Sequence, residues 1–225
     1  MADGDTSFER TGAVRLSDLI DGCLGEWEAA TRPFFDLGKP GHRITGSPDV
    51  ARLARAVCET PDFHRTIGTG WAPVRAIAFN KTAGSNWSLG WHQDRTIAVA
   101  HQEEASGFDV WSNKDGMVHV EPPFALLERM VTLRLHLDPV DGDNAPLLLA
   151  KGSHRLGKVA ESEIDDVIKA CEILSCDAEA GDGWLYATPI LHASARSTRL
   201  RERRVIHLDL SQDILPSPLE WAGIG

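Results

Sequence analysis

The chain has 225 residues and a 42% share of apolar residues, which suits one domain with a sizeable core and excludes disorder as its default state. A formal net charge of −10 excludes a general affinity for nucleic acid or an anionic membrane, because both present phosphates that a negative protein repels. The first residues show neither the basic nor the apolar region of a signal peptide, and no stretch reaches the roughly 18 apolar residues of a membrane helix, so we expect a cytoplasmic protein.

Residues 1–72 are predicted to be mostly helical. Apolar residues recur at helix-like spacing between Ser17 and Ala30, and Ser17 is the predicted cap of this helix. A second helix is predicted to begin at Ser47, a capping serine that precedes a proline in the first turn. The segment from Phe34 to Ile44 contains two glycines and a proline and is predicted to be a loop.

From Val74 onwards the apolar period changes to two, most clearly between Met130 and Val140. Further strands are predicted over Val74–Phe79, Ser88–Asp94, Pro146–Ala150, Trp184–Ala187 and Arg203–Leu210. Many short strands separated by turn residues favour a double-sheet jelly roll over a parallel α/β sheet. We therefore predict a single mainly β domain with flanking helices: a helical N-terminal part (1–72), a jelly-roll core (73–212) and a C-terminal tail (213–225).

Two segments interrupt the predicted strands. Glu161 to Ala170 has the pattern of an amphipathic helix. Ala100 to Phe124 is polar and irregular, with two glycines and a Pro-Pro pair. Because loops of this length in a compact domain are usually lids or binding loops, we predict that this segment covers the site and sets substrate choice.

A metal-binding pattern begins at His92 and Asp94, which lie two positions apart on a predicted strand and therefore point to the same face. His192 follows one hundred positions after His92, just beyond another predicted strand. Two imidazoles and one carboxylate form a facial cap that leaves three metal positions open, as in non-haem Fe(II) oxygenases. His136 and Asp138 repeat the first spacing, but a turn and no matching histidine-then-arginine pair follow them, so we reject that copy.

An arginine follows the second histidine. Arg203 lies eleven residues beyond His192, and its planar guanidinium can bind the carboxylate of a co-substrate through two hydrogen bonds. Its neighbour Arg204 must point the opposite way on a strand, so one of the two faces solvent or a salt bridge.

Several segments together resemble the phytanoyl-CoA dioxygenase-like enzymes. They occur in that family's order between Val74 and Leu210: Trp91-His92-Gln93-Asp94, Asp143-Asn144-Ala145-Pro146 through Lys151-Gly152-Ser153-His154, Gly181-Asp182-Gly183, Leu191-His192-Ala193-Ser194 and Arg203-Arg204-Val205. The resemblance implies a double-stranded β-helix of the cupin-like jelly-roll type. It also implies an oxygenase that uses Fe(II), 2-oxoglutarate and O2.

The resemblance also implies roles for single residues. The predicted iron ligands, which are also the catalytic residues, are His92, Asp94 and His192. The predicted 2-oxoglutarate site consists of Arg203, which faces inward and binds the distal carboxylate, with Ser194 beside it and Trp111 as an aromatic wall. Further candidates for the pocket are Gln93, Lys81 and Trp91.

Three departures from the family pattern bear on these expectations. Ala145 stands where the family usually has glycine in Asn-Gly-Pro, so we expect a different turn geometry. Trp184 follows Gly183, where relatives often have a small residue. The chain shows no addition for binding coenzyme A, so a phytanoyl-CoA substrate is not carried over.

The predicted function is a hydroxylase for a small molecule, with release of succinate and CO2. Asp94 favours hydroxylation, because related halogenases have a small residue there that leaves room for chloride. The alternatives are a cupin-type metalloenzyme without 2-oxoglutarate and a non-catalytic jelly roll that binds a metal or metabolite. Cupins usually add histidine and glutamate ligands that the first motif does not offer. The primary substrate, the outcome of the oxidation and the choice between monomer and homodimer stay open.

Overall fold

The described residues of this computed structural model, 7–35, 40–82, 86–198 and 201–225, form three antiparallel sheets and six α-helices. The strands are β1 (Ala13–Leu16), β2 (Gly41–Ile44), β3 (Ala72–Lys81), β4 (Leu89–His92), β5 (Ile97–Val99), β6 (Asp109–Lys114), β7 (Met117–Glu121), β8 (Val131–His136), β9 (Leu147–Ala150), β10 (Ile173–Cys176), β11 (Gly183–Ala187), β12 (His192–Ser194) and β13 (Arg203–Ser211). The helices are α1 (Ser7–Thr11), α2 (Leu24–Phe35), α3 (Pro48–Cys58), α4 (Pro61–Ile67), α5 (Phe124–Leu127) and α6 (Ile164–Ala170).

Two of the sheets form the walls of a jelly roll. The larger has six strands in the order β1-β11-β8-β13-β3-β2, and the smaller has four in the order β10-β9-β12-β4. A third sheet, β5-β7-β6, lies beside them. Side chains from all three sheets line one internal cavity, which locates the candidate site between the two walls.

The predicted alternation between Met130 and Val140 is present in β8, although both faces of the strand are buried. Leu133 and Leu135 pack into the core that the N-terminal helices cover. Arg134 and His136 alternate with them, so they point to the opposite face of the sheet. The same alternation in β13 turns Ile206 to the helices. The six-stranded sheet therefore has an apolar outer face and a polar inner face.

The N-terminal helices pack on the apolar outer face. Helix α3 begins as predicted, because Ser47 caps it by accepting a hydrogen bond from the Val50 backbone N–H at 3.4 Å and Pro48 occupies its first turn. Buried apolar residues of α3 then contact the sheet. The first predicted helix begins later than Ser17, at Leu24 of α2. Asp18 has a φ of 56°, which is incompatible with a right-handed α-helix, so the helix cannot begin before it.

Two short strands of the N-terminal part were not predicted. Strand β1 pairs with β11, and β2 pairs with β3, so both lie at the edges of the six-stranded sheet. Each has only four residues, too few for the period of two to be distinct. Strand β2 lies in the predicted loop from Phe34 to Ile44, of which residues 36–39 lie outside the described residues.

The segment from Ala100 to Phe124 is a hairpin rather than an irregular loop. Strands β6 and β7 pair with each other, and β7 also pairs with β5. Asp115 and Gly116 connect β6 to β7 with φ values of 57° and 84°, the left-handed pair that a tight hairpin turn requires. An Asp-Gly pair is the strongest short hairpin signal, so the sequence did contain this information. The hairpin places Lys114 at the candidate site.

The C-terminal residues 213–225 are part of the packed structure. Leu215 and Leu219 are buried in the core beside the three-stranded sheet, and Ile224 is buried among the N-terminal helices. Trp221 forms a β-bridge with Val99. No helix among the described residues has the length and apolar character needed to cross a membrane.

The turn before β9 has a left-handed residue. Ala145 has a φ of 52°, so the Asn-Ala-Pro sequence adopts a conformation that glycine tolerates at no steric cost. We expect Ala145→Gly to raise the free energy of unfolding by about 1 kcal/mol, because an L side chain is strained in this region. Urea unfolding measures the change. Ala178→Gly is the control, because Ala178 is buried and does not have a positive φ. The free energy of unfolding of this variant should fall by about 1 kcal/mol. A loss of stability in both variants would contradict the strain at Ala145.

Candidate functional site

Strand pairing brings the two predicted histidine ligands together. His92, the last residue of β4, is the direct register partner of His192 in β12, and the ring centroids are 4.2 Å apart. Asp94 lies just beyond the end of β4, with its Oδ2 atom 3.9 Å from Nε2 of His192. The ligand atoms of the three residues all lie within 4.8 Å of one another, so they could hold one metal ion.

Backbone carbonyls orient both imidazoles. Nδ1 of His92 donates a hydrogen bond to the Gly90 carbonyl at 2.8 Å, and Nδ1 of His192 donates to the Ile190 carbonyl at 2.9 Å. Each bond places the ring proton on Nδ1 and leaves the Nε2 lone pair free for a metal. Each histidine is therefore oriented by a hydrogen bond to the carbonyl two residues earlier in the chain, and both present Nε2 as the ligand atom.

The charge states of the triad suit a divalent cation. Burial and the neighbouring His92 lower the pKa of His192 to about 4, although Asp94 opposes the shift. Burial raises the pKa of Asp94, but interactions with His192, Arg75 and His207 outweigh it and leave the pKa below its usual value. A neutral imidazole and an ionised carboxylate are the forms that bind a metal. The donor set is consistent with Fe(II).

Gln93 and Trp91, two of the predicted pocket residues, flank the triad. Gln93 is buried, and its amide donates to the carbonyls of Gly157 and Pro189 and accepts from the Val159 N–H at 2.9 Å. These bonds fix the end of β4 and hence the position of the triad. Trp91 is half-buried and lines an outer cleft.

The triad lies at the junction of two spaces. The inner cavity, about 180 Å³, is lined by residues of all three sheets: Arg43, Arg75, Ile77, Phe79, Trp87, Leu89, His92, Asp94, Thr96, Lys114, Arg134, Leu147, His192, Ser194, Arg203 and His207. The outer cleft, about 760 Å³, shares His92, Asp94, Thr96 and Lys114 with it. Among these lining residues of the inner cavity, Asp94 is the one carboxylate, whereas four arginines and a lysine are cationic.

Arg203 points into the inner cavity and Arg204 points away from it. Arg203 is 3% exposed, and its Nη1 donates to the Ala145 carbonyl while Nε has no partner among the described residues. Arg204 binds Asp138 at 2.7 and 2.9 Å and Glu28 at 2.8 Å on the other face of the sheet. One guanidinium is therefore available to a ligand of the cavity, and the other is committed to structural ion pairs.

Arg134 is a second cavity arginine that the sequence analysis did not single out. It is buried on β8, in register with His207 of β13, and its Nε also lacks a partner among the described residues. Burial, together with the positive charge of Arg134, lowers the pKa of Arg203. Two buried guanidinium groups of like charge on one wall could bind an anion, because a bound negative charge would interact favourably with both.

Lys81 lies behind the cavity wall. It is 1% exposed, and its Nζ donates to Ser194 Oγ at 3.0 Å and to the Ala195 carbonyl. It also lies 5.0 Å from the ring centroid of Trp87. Burial, followed by the charges of Arg203 and Arg134, lowers its pKa to about 7. Lys81 therefore positions Ser194 and the cavity wall.

Trp111 lies away from the inner cavity. It is on β6, packs against the core beside the three-stranded sheet and lines a surface groove with Glu104 and Phe108. The aromatic wall of the cavity is instead formed by Phe79 and Trp87. The bulge in β6 between Asp109 and Ser112 shifts the register, so the direction of Trp111 could not be read from alternation.

The third arginine of the inner wall is neutralised within the protein. Nε of Arg75 lies 2.6 Å from Oδ2 of Asp209, and Nε2 of His207 lies 2.9 Å from the other oxygen of that carboxylate. All three side chains are buried. This ion pair gives Arg75 a carboxylate partner within the protein.

Comparisons with known proteins bear on this site. A family model described as "Phytanoyl-CoA dioxygenase (PhyH)" matches residues 23–205. The chain belongs to the phytanoyl-CoA dioxygenase family. A search of curated proteins finds no match to the sequence.

Solved structures with the same fold include the non-heme alpha ketoglutarate dependent epimerase SnoN from nogalamycin biosynthesis, with 15% identity, a TM-score of 0.63 and coverage of 97% of this chain and 92% of SnoN. HygX from Streptomyces hygroscopicus, solved with nickel and 2-oxoglutarate, has 13% identity, a TM-score of 0.60 and coverage of 91% and 84%. EctD from S. alaskensis has 20% identity, a TM-score of 0.64 and coverage of 96% and 78%. These likenesses confirm the predicted jelly-roll fold class.

The lowered pKa of Lys81 predicts a pH dependence of stability. The pKa falls from its ordinary value of 10.5 to about 7 in the folded protein, so between these values the unfolded chain binds the extra proton. Stability of the wild type relative to Lys81→Met should therefore rise as pH increases from 7 to 10.5. Urea unfolding at several pH values measures this difference. Lys169→Met is the control, because its side chain is 74% exposed and should show no comparable rise. A pH-independent difference for Lys81→Met would refute the prediction.

Proposed function

We propose that this protein is an Fe(II)- and 2-oxoglutarate-dependent dioxygenase that hydroxylates a small molecule, with release of succinate and CO2. The observation that carries the proposal is the presence, in one cavity, of a facial His-Asp-His triad and two buried arginines without carboxylate partners among the described residues. The first group suits a ferrous ion, and the second suits the far carboxylate of a dicarboxylic acid.

In this proposal His92, Asp94 and His192 hold the iron and are the catalytic residues. Both histidines present a free Nε2, and the carboxylate is ionised, so the residues fit the metal without a change of protonation. When bound by these residues, Fe(II) together with 2-oxoglutarate would supply the electrons with which O2 oxidises a C–H bond of the substrate. The protein's own contribution is to fix three ligands on one face and leave the opposite face open.

Arg203 and Ser194 hold 2-oxoglutarate by its distal carboxylate. The free Nε of Arg203 is buried in the cavity wall, and Ser194 Oγ is held in place by Lys81. Arg134 adds a second positive charge to the same wall. A dianion bound here replaces water around groups that are already buried, so most of the desolvation cost has been met on folding.

The primary substrate reaches the metal from the outer cleft. That cleft borders His92 and Asp94 and is several times larger than the inner cavity, which leaves room for a small organic molecule. HygX has been solved with hygromycin B bound, so at least one protein of this fold accepts a small molecule. The predicted irregular lid is a β-hairpin, and Lys114 at the end of β6 lines the cleft.

Enzymes of the cupin-type alternative usually have further histidine and glutamate ligands around the first motif. Among the described residues, the triad is the one group of three metal-binding side chains. The non-catalytic alternative requires no oriented arginine in the cavity. Arg203 and Arg134 both line the cavity, which favours the hypothesis of a 2-oxoglutarate-dependent enzyme.

The iron site predicts the effect of three substitutions. His92→Ala, Asp94→Ala and His192→Ala should each weaken Fe(II) binding by about tenfold or more, because each removes one of the three protein ligands of the ion. Anaerobic calorimetric titration of the purified apoprotein measures this binding. His154→Ala is the control, since His154 Nε2 lies 3.2 Å from the Glu9 carbonyl in a turn away from the triad. Unchanged Fe(II) affinity in two of the three triad variants would disprove the assignment.

The co-substrate site predicts different effects for two adjacent arginines. Arg203→Ala should keep iron but weaken 2-oxoglutarate binding by about 2 kcal/mol or more, as for the loss of one partner of a charged hydrogen bond. Arg204→Ala should leave that affinity unchanged, because Arg204 binds Asp138 and Glu28 instead. The measurement is the visible charge-transfer band that forms when 2-oxoglutarate is added to the anaerobic Fe(II) protein. Equal affinities in the two variants would overturn the role of Arg203, and iron binding without any band would favour the cupin-type enzyme.

A further inference from the structure

The inner cavity contains more positive charge than 2-oxoglutarate can neutralise. In the proposed function, Asp94 and one carboxylate of 2-oxoglutarate balance the ferrous ion. The other carboxylate faces Arg203 and Arg134, and Asp209 already neutralises Arg75. Two further cations line the opposite part of the wall, and neither is assigned a carboxylate of 2-oxoglutarate: Arg43 and Lys114.

Arg43 comes from β2, the edge strand of the six-stranded sheet. It is the register partner of Ile77, which pairs with His207, which in turn pairs with Arg134 across the inner face. Arg43 is thus three strands away from Arg134, at the far end of one row. Strands in a sheet lie roughly 4.8 Å apart, so the two guanidinium-bearing positions are separated by about 14 Å. One small dicarboxylate cannot engage both ends as tightly as it engages one.

The guanidinium of Arg43 is only partly satisfied. Its Nε is buried and has no hydrogen-bond partner among the described residues. Burial and the nearby charge of Arg75 lower its pKa, whereas Asp115 raises it. That carboxylate lies 3.2 Å from Nδ1 of His42, so it is not committed to Arg43 alone. Arg43 therefore retains the capacity to bind an anion in the cavity.

Lys114 lies beside Arg43, at the tip of the β6–β7 hairpin. Lys114 is an exposed residue. Partial burial of its side chain and the charges of Arg43 and Arg75 still lower its pKa, and the negative charge of Asp94 opposes the shift. These interactions place Lys114 within electrostatic range of both arginines and of a proposed iron ligand. Lys114 also borders both the inner cavity and the outer cleft, so a molecule that enters through the cleft passes its ammonium group.

We propose that Arg43 and Lys114 form a second anion site, which recognises a carboxylate or phosphate group on the primary substrate. The inference rests on the proposed function, since it assigns Arg203 and Arg134 to 2-oxoglutarate. It names the substrate class as a small organic acid or phosphate ester. The anionic group is held on the Arg43 side of the triad, which leaves the remainder of the substrate against His92 and Asp94.

The test uses anaerobic protein loaded with Fe(II) and saturating 2-oxoglutarate, so the charge-transfer band first reports the state of the proposed active site. Acetate, inorganic phosphate and the neutral analogue acetamide are then titrated by calorimetry while the band is recorded. We expect one of the two anions to bind saturably without loss of the band, and acetamide not to bind. The anion that binds more tightly identifies the source of the charge as carboxylate or phosphate.

Charge-neutral variants locate that binding. Arg43→Gln and Lys114→Gln should each lower the affinity for the anion by about tenfold or more, because each removes one charged hydrogen bond. Both variants should leave the affinity for 2-oxoglutarate unchanged. Arg43→Lys should restore part of the binding. Arg204→Gln and Lys158→Gln are the matched controls, because each removes one positive charge that is paired with a carboxylate outside the cavity.

The outcomes separate the two proposals. If no band forms in the wild type, the proposed function fails. If the band forms but neither anion binds, or if Arg43→Gln and Lys114→Gln bind it like the controls, the second anion site is refuted. Loss of 2-oxoglutarate affinity in Arg43→Gln to the extent seen in Arg203→Ala would also refute it, because Arg43 would then belong to the co-substrate site.

Discussion

The six-stranded sheet buries two unlike faces, and the rest of the fold depends on keeping them apart. Its outer face presents leucine, isoleucine and valine side chains to the N-terminal helices, and its inner face presents arginine, histidine and aspartate to the cavity. Burying unpaired guanidinium groups costs free energy. Hydrophobic burial on the outer face, at about 25 cal/mol per Å², offsets that cost. A slip of one residue would exchange the faces, so the pattern that builds the cavity also fixes the register.

Much of the site could be predicted because it depends on spacing along single strands. The alternation in β8 and β13 and the opposite directions of Arg203 and Arg204 follow from a period of two. Asp94 lies beyond the end of β4, so its place beside His92 depends on the chain after the strand and not on alternation. The distant pairing of His92 with His192 came from the order of motifs in a resembling family. The fold class followed from the number and shortness of the strands.

The remaining part of the site depends on which strands are neighbours. Arg43 enters the cavity because β2 pairs with β3, and Lys114 enters because a hairpin turns at Asp115 and Gly116. Neither strand has a clear period, and pairing between strands distant in sequence cannot be read from either one alone. The direction of Trp111 could not be predicted for a different reason, because a bulge in β6 interrupts the alternation of its side chains. The period along one strand predicts the face to which a side chain points, whereas the order of strands in the sheet determines which side chains lie next to each other.

The pairing of His92 with His192 also connects the site to folding. These residues are register partners on antiparallel strands that are separated by one hundred positions in the chain. In the unfolded chain they are independent, so three ligands for one ion exist only after β4 and β12 have joined. A metal that binds the folded form alone stabilises it by mass action, in proportion to the logarithm of its free concentration. Iron supply would therefore influence how much of this protein survives in the cell, separately from how fast it turns over.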